Sequence, residues 1–136
     1  MKTLISSEDA PITVGPYSPG LSVGEWIFLS GQGGFDPTTG KMISDDIAEQ
    51  TAQTFRNIEV LLEAAGASLD NVVSCLVHLT DLSQFGAFNA IYETQFPGTK
   101  PVRTTVRADL VAGMLVEITA VARASERVTR EPIGRP

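Results

Sequence analysis

The sequence predicts an α+β fold, a single mixed sheet carrying two helices on one face, and three observations predict it. Short apolar runs rich in strand formers occur at four places, and two longer segments between them change to a helical period. The order strand, helix, strand, helix, strand, strand then closes most simply as one sheet with both helices in one layer.

Gly15, Pro16, Pro19 and Gly20 break the start of the chain into loop. Glu25 to Ser30 (EWIFLS) is the first run with strand composition. Two turn-forming clusters follow, Gly31-Gln32-Gly33-Gly34 and Asp36-Pro37-Thr38-Thr39-Gly40, so residues 31–44 are expected as loop. The glycine cluster lacks the lysine and spacing of a phosphate-binding loop and does not open directly into a helix, so it is read as a turn.

From Asp46 the period changes. Ile47, Thr51, Phe55, Ile58, Leu62 and Ala65 recur at steps of three and four, which lines one side of a helix. Asp46 with Glu49 suits a variant of the capping box, and Gly66 suits the left-handed position that ends a helix. Asn71 to Thr80 (NVVSCLVHLT) reads as a strand with Val73, Cys75, Val77 and Leu79 on one face.

Ser83 is positioned to cap a second helix, whose stripe is Phe85, Phe88, Tyr92 and Phe96 and which Pro97-Gly98 ends. Val102 to Arg107 and Leu115 to Arg123 are the last two strands, separated by a loop containing Gly113. Leu115, Val121 and Leu76 would make the uncovered sheet face too apolar to leave in water, which implies self-association. Residues 1–124 are thus expected as one domain, and 125–136, with two prolines and mixed charge, as a tail.

Composition narrows the function. Ten Lys and Arg against sixteen Asp and Glu give a net charge of −6, which repels phosphate backbones and argues against a nucleic-acid partner. The lone Cys75 cannot form an internal disulfide and lacks the companions of a zinc site, which fits a reducing, cytoplasmic setting. The opening MKTLISSED has no apolar core of signal-peptide length, and no run is long enough to span a membrane.

Two charged residues stand out on the last strands. Arg103 shares a strand face with Thr105 and Arg107, and its planar fork suits either a substrate carboxylate or a structural acid partner. Glu117 interrupts Met114-Leu115-Val116 and Ile118, where a carboxylate either handles a proton or is ion-paired. On consecutive strands the two are expected to lie side by side, one binding an acid and the other positioning water. Cys75 and His78, three apart in one strand, face opposite ways and are assigned to packing. Tyr17, in Gly15-Pro16-Tyr17-Ser18-Pro19, is an aromatic on a stiff loop, which serves packing or ligand contact.

Taken in order, several short motifs resemble the Rid (YjgF) family of enamine/imine deaminases over about residues 8–123. They are Ala10-Pro11 with Gly15-Pro16-Tyr17-Ser18, Leu29-Ser30-Gly31-Gln32, Asp36-Pro37 with Thr39-Gly40, and Gln53 to Asn57. Leu62 to Gly66, Asp81-Leu82, Phe88-Asn89 with Tyr92, Pro101 to Val106, and Val116-Glu117-Ile118 with Ala120 complete the set. The resemblance implies a chorismate-mutase-like fold and a homotrimer with clefts between subunits.

It further implies that Arg103 grips the carboxylate of a small 2-imino acid while Glu117 positions the attacking water, with no cofactor or metal. Tyr17, Ser30 and Asn89 would lie in or near the cleft, Tyr17 from the adjacent subunit, and the backbone at Thr105 would contact substrate. The product would be a 2-keto acid. Val102 stands where the family often has alanine, and Thr105 where some members have cysteine, which leaves substrate preference open. Two other classes compete: a non-catalytic binder of carboxylate metabolites or protein clients in the same clefts, and a nucleolytic activity, disfavoured by the acidic balance.

Overall fold

A computed structural model of the chain describes residues 1–124; the tail expected over 125–136 lies outside the described residues. Six strands, β1 (Lys2–Ile5), β2 (Gly20–Val23), β3 (Trp26–Leu29), β4 (Val72–Leu79), β5 (Val102–Arg107) and β6 (Val116–Arg123), form one sheet in the order β1-β2-β3-β6-β4-β5. All neighbours are antiparallel except β4 and β5. The sheet is therefore mixed, and α1 (Ile47–Ala64) and α2 (Phe85–Gln95) contribute to the same hydrophobic core, as the element order implied.

Strands β1 and β2 were not anticipated. Each has four residues, and β2 begins in the Gly/Pro-rich stretch that reads locally as loop. They form because β2 and β3 make a hairpin around Gly24, which takes the left-handed φ of 60° that glycine adopts without strain.

The ends of α1 follow the sequence signals with one change. Asp46 Oδ2 accepts from the Glu49 backbone N–H at 2.9 Å, but the Asp46 N–H goes to Ser44 Oγ at 3.1 Å and not to Glu49. At the other end Gly66 has φ 78°, and bonds from Gly66 N–H to Glu63 O and from Ala67 N–H to Leu62 O close a Schellman turn. Ile47, Phe55, Ile58, Leu61 and Leu62 bury against the sheet, but so do the polar Gln50, Thr51, Gln53, Thr54 and Asn57.

Three local expectations are corrected. A bulge between Val72 and Ser74 turns Val72 into the core and leaves Val73 40% exposed, so Val73 does not share a face with Cys75, Val77 and Leu79. Ser83 does not cap α2: Asp81 Oδ1 accepts from Ser83 N–H and Oγ, capping a 3₁₀ turn over Leu82–Gln84 that runs into the helix. Leu115 packs against the core, so the uncovered sheet face is made instead by Phe28, Leu76 and Val106, each more than a third exposed, with Val121 between.

Candidate active site

Glu117 lies between Val116 and Ile118, both fully buried, so the alternation of β6 sends its side chain to the sheet face away from the helices. Its carboxylate has no hydrogen bond or ion pair among the described residues. It reaches across Gly31, where an added Cβ would sit only 2.6 Å from Oε2; glycine at 31 is what lets the acid lie there. The carboxylate opens into a cavity of about 540 Å³ whose walls include Tyr17, Gly31, Gln32, Val111 and Met114.

The buried polar side of α1 holds the loops around this cavity. Asn57 Nδ2 donates to Gly33 O at 3.0 Å and to Phe35 O at 2.9 Å. Gln50 donates to Ser44 O at 2.7 Å and Gly113 O at 3.1 Å while its Oε1 accepts from Leu115 N–H at 2.8 Å. Sequence patterning missed these anchors because it scores only apolar positions on a helix face; the signal is a glutamine and an asparagine at the stripe's own spacing, seven residues apart.

Ser30 works as a fastener. Its Oγ donates to Ser18 O at 2.6 Å and its N–H to Pro19 O at 2.9 Å, which ties the Tyr17 loop to the end of β3. It is not among the residues lining the cavity.

Arg103 is on β5 in register with Cys75, and its guanidinium turns toward α2. There it lies 4.6 Å from the Tyr92 ring centre, 5.3 Å from Phe85 and 5.8 Å from Phe88, while Nη1 donates to Asn89 Oδ1 at 2.7 Å. No carboxylate pairs with it among the described residues. The structural ion pair considered for Arg103 is therefore absent among these residues, and Asn89 orients the arginine.

Two buried hydroxyls near this strand, Thr105 Oγ1 and Tyr92 Oη, lack hydrogen-bond partners of good geometry among the described residues. Tyr92 neighbours the Cys75 thiol. Burial raises both groups above their ordinary values, outweighing in Cys75 the lowering from Tyr92 and the Arg103 charge, and the Cys75 thiol adds to the rise in Tyr92. Each is thus held in its protonated form.

Arg103 and Glu117 do not lie side by side within one chain. Strands β5 and β6 follow one another in sequence, but β4 runs between them in the sheet. Arg103 is level with Cys75 and Ala120, three residues from Glu117, so their backbones are separated by about 10 Å across the strands and about 10 Å along them. Their side chains also leave opposite faces. Asn89 and Thr105 share the arginine side; Tyr17, Gly31 and Glu117 share the other. His78, assigned to packing, is level with Glu117 on the uncovered face, half-buried, with Nδ1 unpartnered.

No cluster of three or more His, Cys, Asp or Glu able to hold a metal occurs among the described residues. No helix among them is long and apolar enough to cross a membrane.

Comparison with known proteins identifies the family. The model of the family described as Endoribonuclease L-PSP matches residues 7–124. A RutC family protein of Saccharolobus solfataricus is 42% identical over 126 residues, covering 92% of this chain and all of its own length. The 2-iminobutanoate/2-iminopropanoate deaminase of Mus musculus is 39% identical over 123 residues, covering 90% of this chain and 91% of its own length. Among solved structures, RidA from an Antarctic Psychrobacter superposes with a TM-score of 0.86 at 38% identity, covering 89% of this chain and 98% of that one. With one sheet, two helices and relatives of this similarity along nearly its whole described length, the chain belongs to the YjgF/Rid family, described also as Endoribonuclease L-PSP.

Proposed function

We propose that this protein hydrolyses 2-imino and 2-enamino acids to 2-keto acids and ammonia, without a cofactor, in sites shared between copies of the chain in a cytoplasmic homotrimer. One observation carries the reading: among the described residues Arg103 has no acid partner and Glu117 no base, and the two, each held by its own scaffold, leave opposite faces of one sheet. Neither completes a site alone. A second copy laid against the uncovered apolar face brings the Arg103 side of one chain to the Glu117 side of another, and it also covers Phe28, Leu76 and Val106. The deaminase name carried by the mouse relative supports the same reaction class.

The chemistry follows from the two half-sites. The free edge of the Arg103 guanidinium binds the substrate carboxylate, its faces covered by rings and Nη1 held by Asn89. The backbone at Thr105 adds a contact on that side, and Tyr17 closes the other. Glu117 takes a proton from water as oxygen bonds to the imine carbon, and the C=N electron pair moves onto nitrogen. The proton then passes to nitrogen, giving a carbinolamine; the carbinolamine hydroxyl gives its proton by way of Glu117 to the same nitrogen as C=O forms and the C–N bond breaks, so ammonia leaves a keto acid. An imine carbon is already electrophilic, so placement supplies most of the acceleration.

The test generates 2-iminobutanoate in place with a threonine dehydratase and follows keto-acid release. Wild type should accelerate release; Arg103→Ala and Glu117→Gln should each abolish the acceleration. When the two inactive variants are unfolded and refolded together, shared sites should regain about a quarter of wild-type activity, because random assembly pairs one intact half with the other at that frequency. No acceleration by wild type, or binding of keto acids with no turnover, refutes the reaction; activity of each variant without mixing refutes the shared site.

A further inference from the structure

We infer that Arg56, on the outer side of α1, is a positioning residue for the loop on which Glu117 is seated, and that it acts through Gln53 and Asn57. Its effect on rate rests on the hydrolytic reading above. The starting point is the partner that Arg56 takes. It is exposed, and Glu59 stands three residues on, the spacing at which a helix pairs opposite charges. Yet Arg56 forms no ion pair among the described residues. Its fork turns back instead, and Nε and Nη2 both donate to Gln53 Oε1, at 3.2 and 3.1 Å. Gln53 is buried, at 8% exposure.

That amide is the first link of a relay with one polarity. Gln53 Nε2 donates to Asn57 Oδ1 at 2.9 Å, and Asn57 Nδ2 donates to Gly33 O at 3.0 Å and Phe35 O at 2.9 Å. The two carbonyls only accept, so Asn57 must turn Nδ2 to the loop and Oδ1 to Gln53. Gln53 must then turn Nε2 inward and Oε1 outward. The outward oxygen needs a donor, and Arg56 supplies two. A guanidinium cannot accept, so it also excludes the flipped amide, which would present Nε2 to it.

Without Arg56 that exclusion is lost. Gln53 can turn Nε2 out to water and set Oε1 against Asn57 Oδ1, which favours turning Asn57 as well and brings its oxygen against the Gly33 and Phe35 carbonyls. The loop is then repelled where it was held. Gln32, next to Gly33, exchanges both backbone bonds with Ile118 at 2.9 Å, and Gly31 lies beneath the Glu117 carboxylate. A loosened Gly33 therefore reaches, within one peptide, the residues that frame Glu117. Arg103, which binds the substrate carboxylate, stands on another strand and is held by α2. Loss of Arg56 should thus lower kcat and leave KM. The relay lies within one chain, between α1 and the loop, so a second copy over Phe28, Leu76 and Val106 leaves its contacts in place.

The experiment uses the full chain as wild type, Arg56→Met, Arg56→Lys, Gln53→Met and the double variant of the two methionines. Methionine keeps an apolar stem and donates no hydrogen bond; lysine still donates to Gln53 Oε1. Two quantities are read: kcat and KM for 2-iminobutanoate, and by NMR the amide resonance of Gly34, whose N–H shares a peptide with the Gly33 carbonyl. Arg56→Met should lower kcat about threefold and Gln53→Met about tenfold, both with KM unchanged. Arg56→Lys should stay near wild type. The double variant should be no slower than Gln53→Met alone, because without Gln53 the arginine has nothing to act through. The Gly34 resonance should move in Arg56→Met toward its place in Gln53→Met and stay put in Arg56→Lys.

A wild-type kcat in Arg56→Met overturns the inference, and so does a change confined to KM. Equal losses in the methionine and lysine variants overturn it too, as do losses that add in the double variant. If Gln53→Met does not fold, the comparison of Arg56→Met with Arg56→Lys decides by itself. If wild type hydrolyses no imine, the hydrolytic reading falls, and the Gly34 resonance then decides the relay: unmoved in Arg56→Met, it refutes the relay as well.

Discussion

Gln50→Leu tests whether the buried polar side of α1 holds the cavity loops in place. Gln50 is fully buried and makes three hydrogen bonds, to Ser44 O, Gly113 O and Leu115 N–H, at 2.7, 3.1 and 2.8 Å. Leucine conserves the volume and removes all three. The Ser44 and Gly113 carbonyls lie near the surface and can turn to water, at a cost of about 1 kcal/mol each; the Leu115 N–H loses its acceptor beside the core, at about 2 kcal/mol. Added apolar burial returns about 1 kcal/mol, which leaves a net loss of about 3 kcal/mol. Such a loss is a large share of a stability that for domains is about 5–15 kcal/mol. For a chain of this length it corresponds to a fall in Tm of about 10 °C. Thermal unfolding followed by circular dichroism measures the fall, and hydrogen exchange at the Leu115 amide shows whether the loop bond was lost. A fall below about 3 °C with undiminished protection at Leu115 refutes the anchoring role.

Three further outcomes follow from the same geometry. Gly31→Ala places a Cβ where the Glu117 carboxylate lies, so kcat for imine hydrolysis should drop about tenfold or more while Tm moves little, since only a side-chain end must shift; unchanged kcat counts against Glu117 at that position. Thr105→Val replaces with a methyl group a buried hydroxyl that has no partner among the described residues, so stability in urea should be unchanged or higher by about 1 kcal/mol; a clear loss would reveal a bond that this hydroxyl makes. Cys75 and Tyr92 keep their protons when folded, whereas the unfolded chain releases them near their ordinary values of 9.0 and 10.0. The unfolded state then binds fewer protons, so stability should fall as pH rises above about 9, by up to about 1.4 kcal/mol per pH unit for each group. Urea titrations between pH 8 and 11 that show flat stability refute this, and Cys75→Ala should remove the first part of the decline.

The elements that the sequence makes legible are those with local signals. Helix α1 is written in its period, in the Asp46 cap and in Gly66; β5 is written in a run bounded by Pro101. Strands β1 and β2 carry too few apolar residues to stand out, and they exist because β3 offers an edge to pair with. The bulge at Val72 and Ser74 is set by register against β6, more than forty residues away, and no local pattern encodes it. The same limit applies to the site. Arg103, Glu117 and Tyr17 are identifiable by type and motif, but whether they meet depends on strand order, and β4 enters between β5 and β6 only through long-range pairing. The aromatic box around Arg103 was visible as a helix stripe at Phe85, Phe88 and Tyr92, though its service to a cation on a neighbouring strand was not.

The strand order also governs how the chain matures. Strand β6 is the last of the sheet to be made, yet it is the only link between the β1-β2-β3 meander and the parallel β4-β5 pair among the described strands. Before Val116 leaves the ribosome, the nascent polypeptide holds two disconnected patches with unpaired inner edges, each exposing apolar side chains intended for a common interior. Released chains truncated near residue 115 should therefore be protease-sensitive and prone to aggregation, and extension through Arg123 should make resistance appear in a single step.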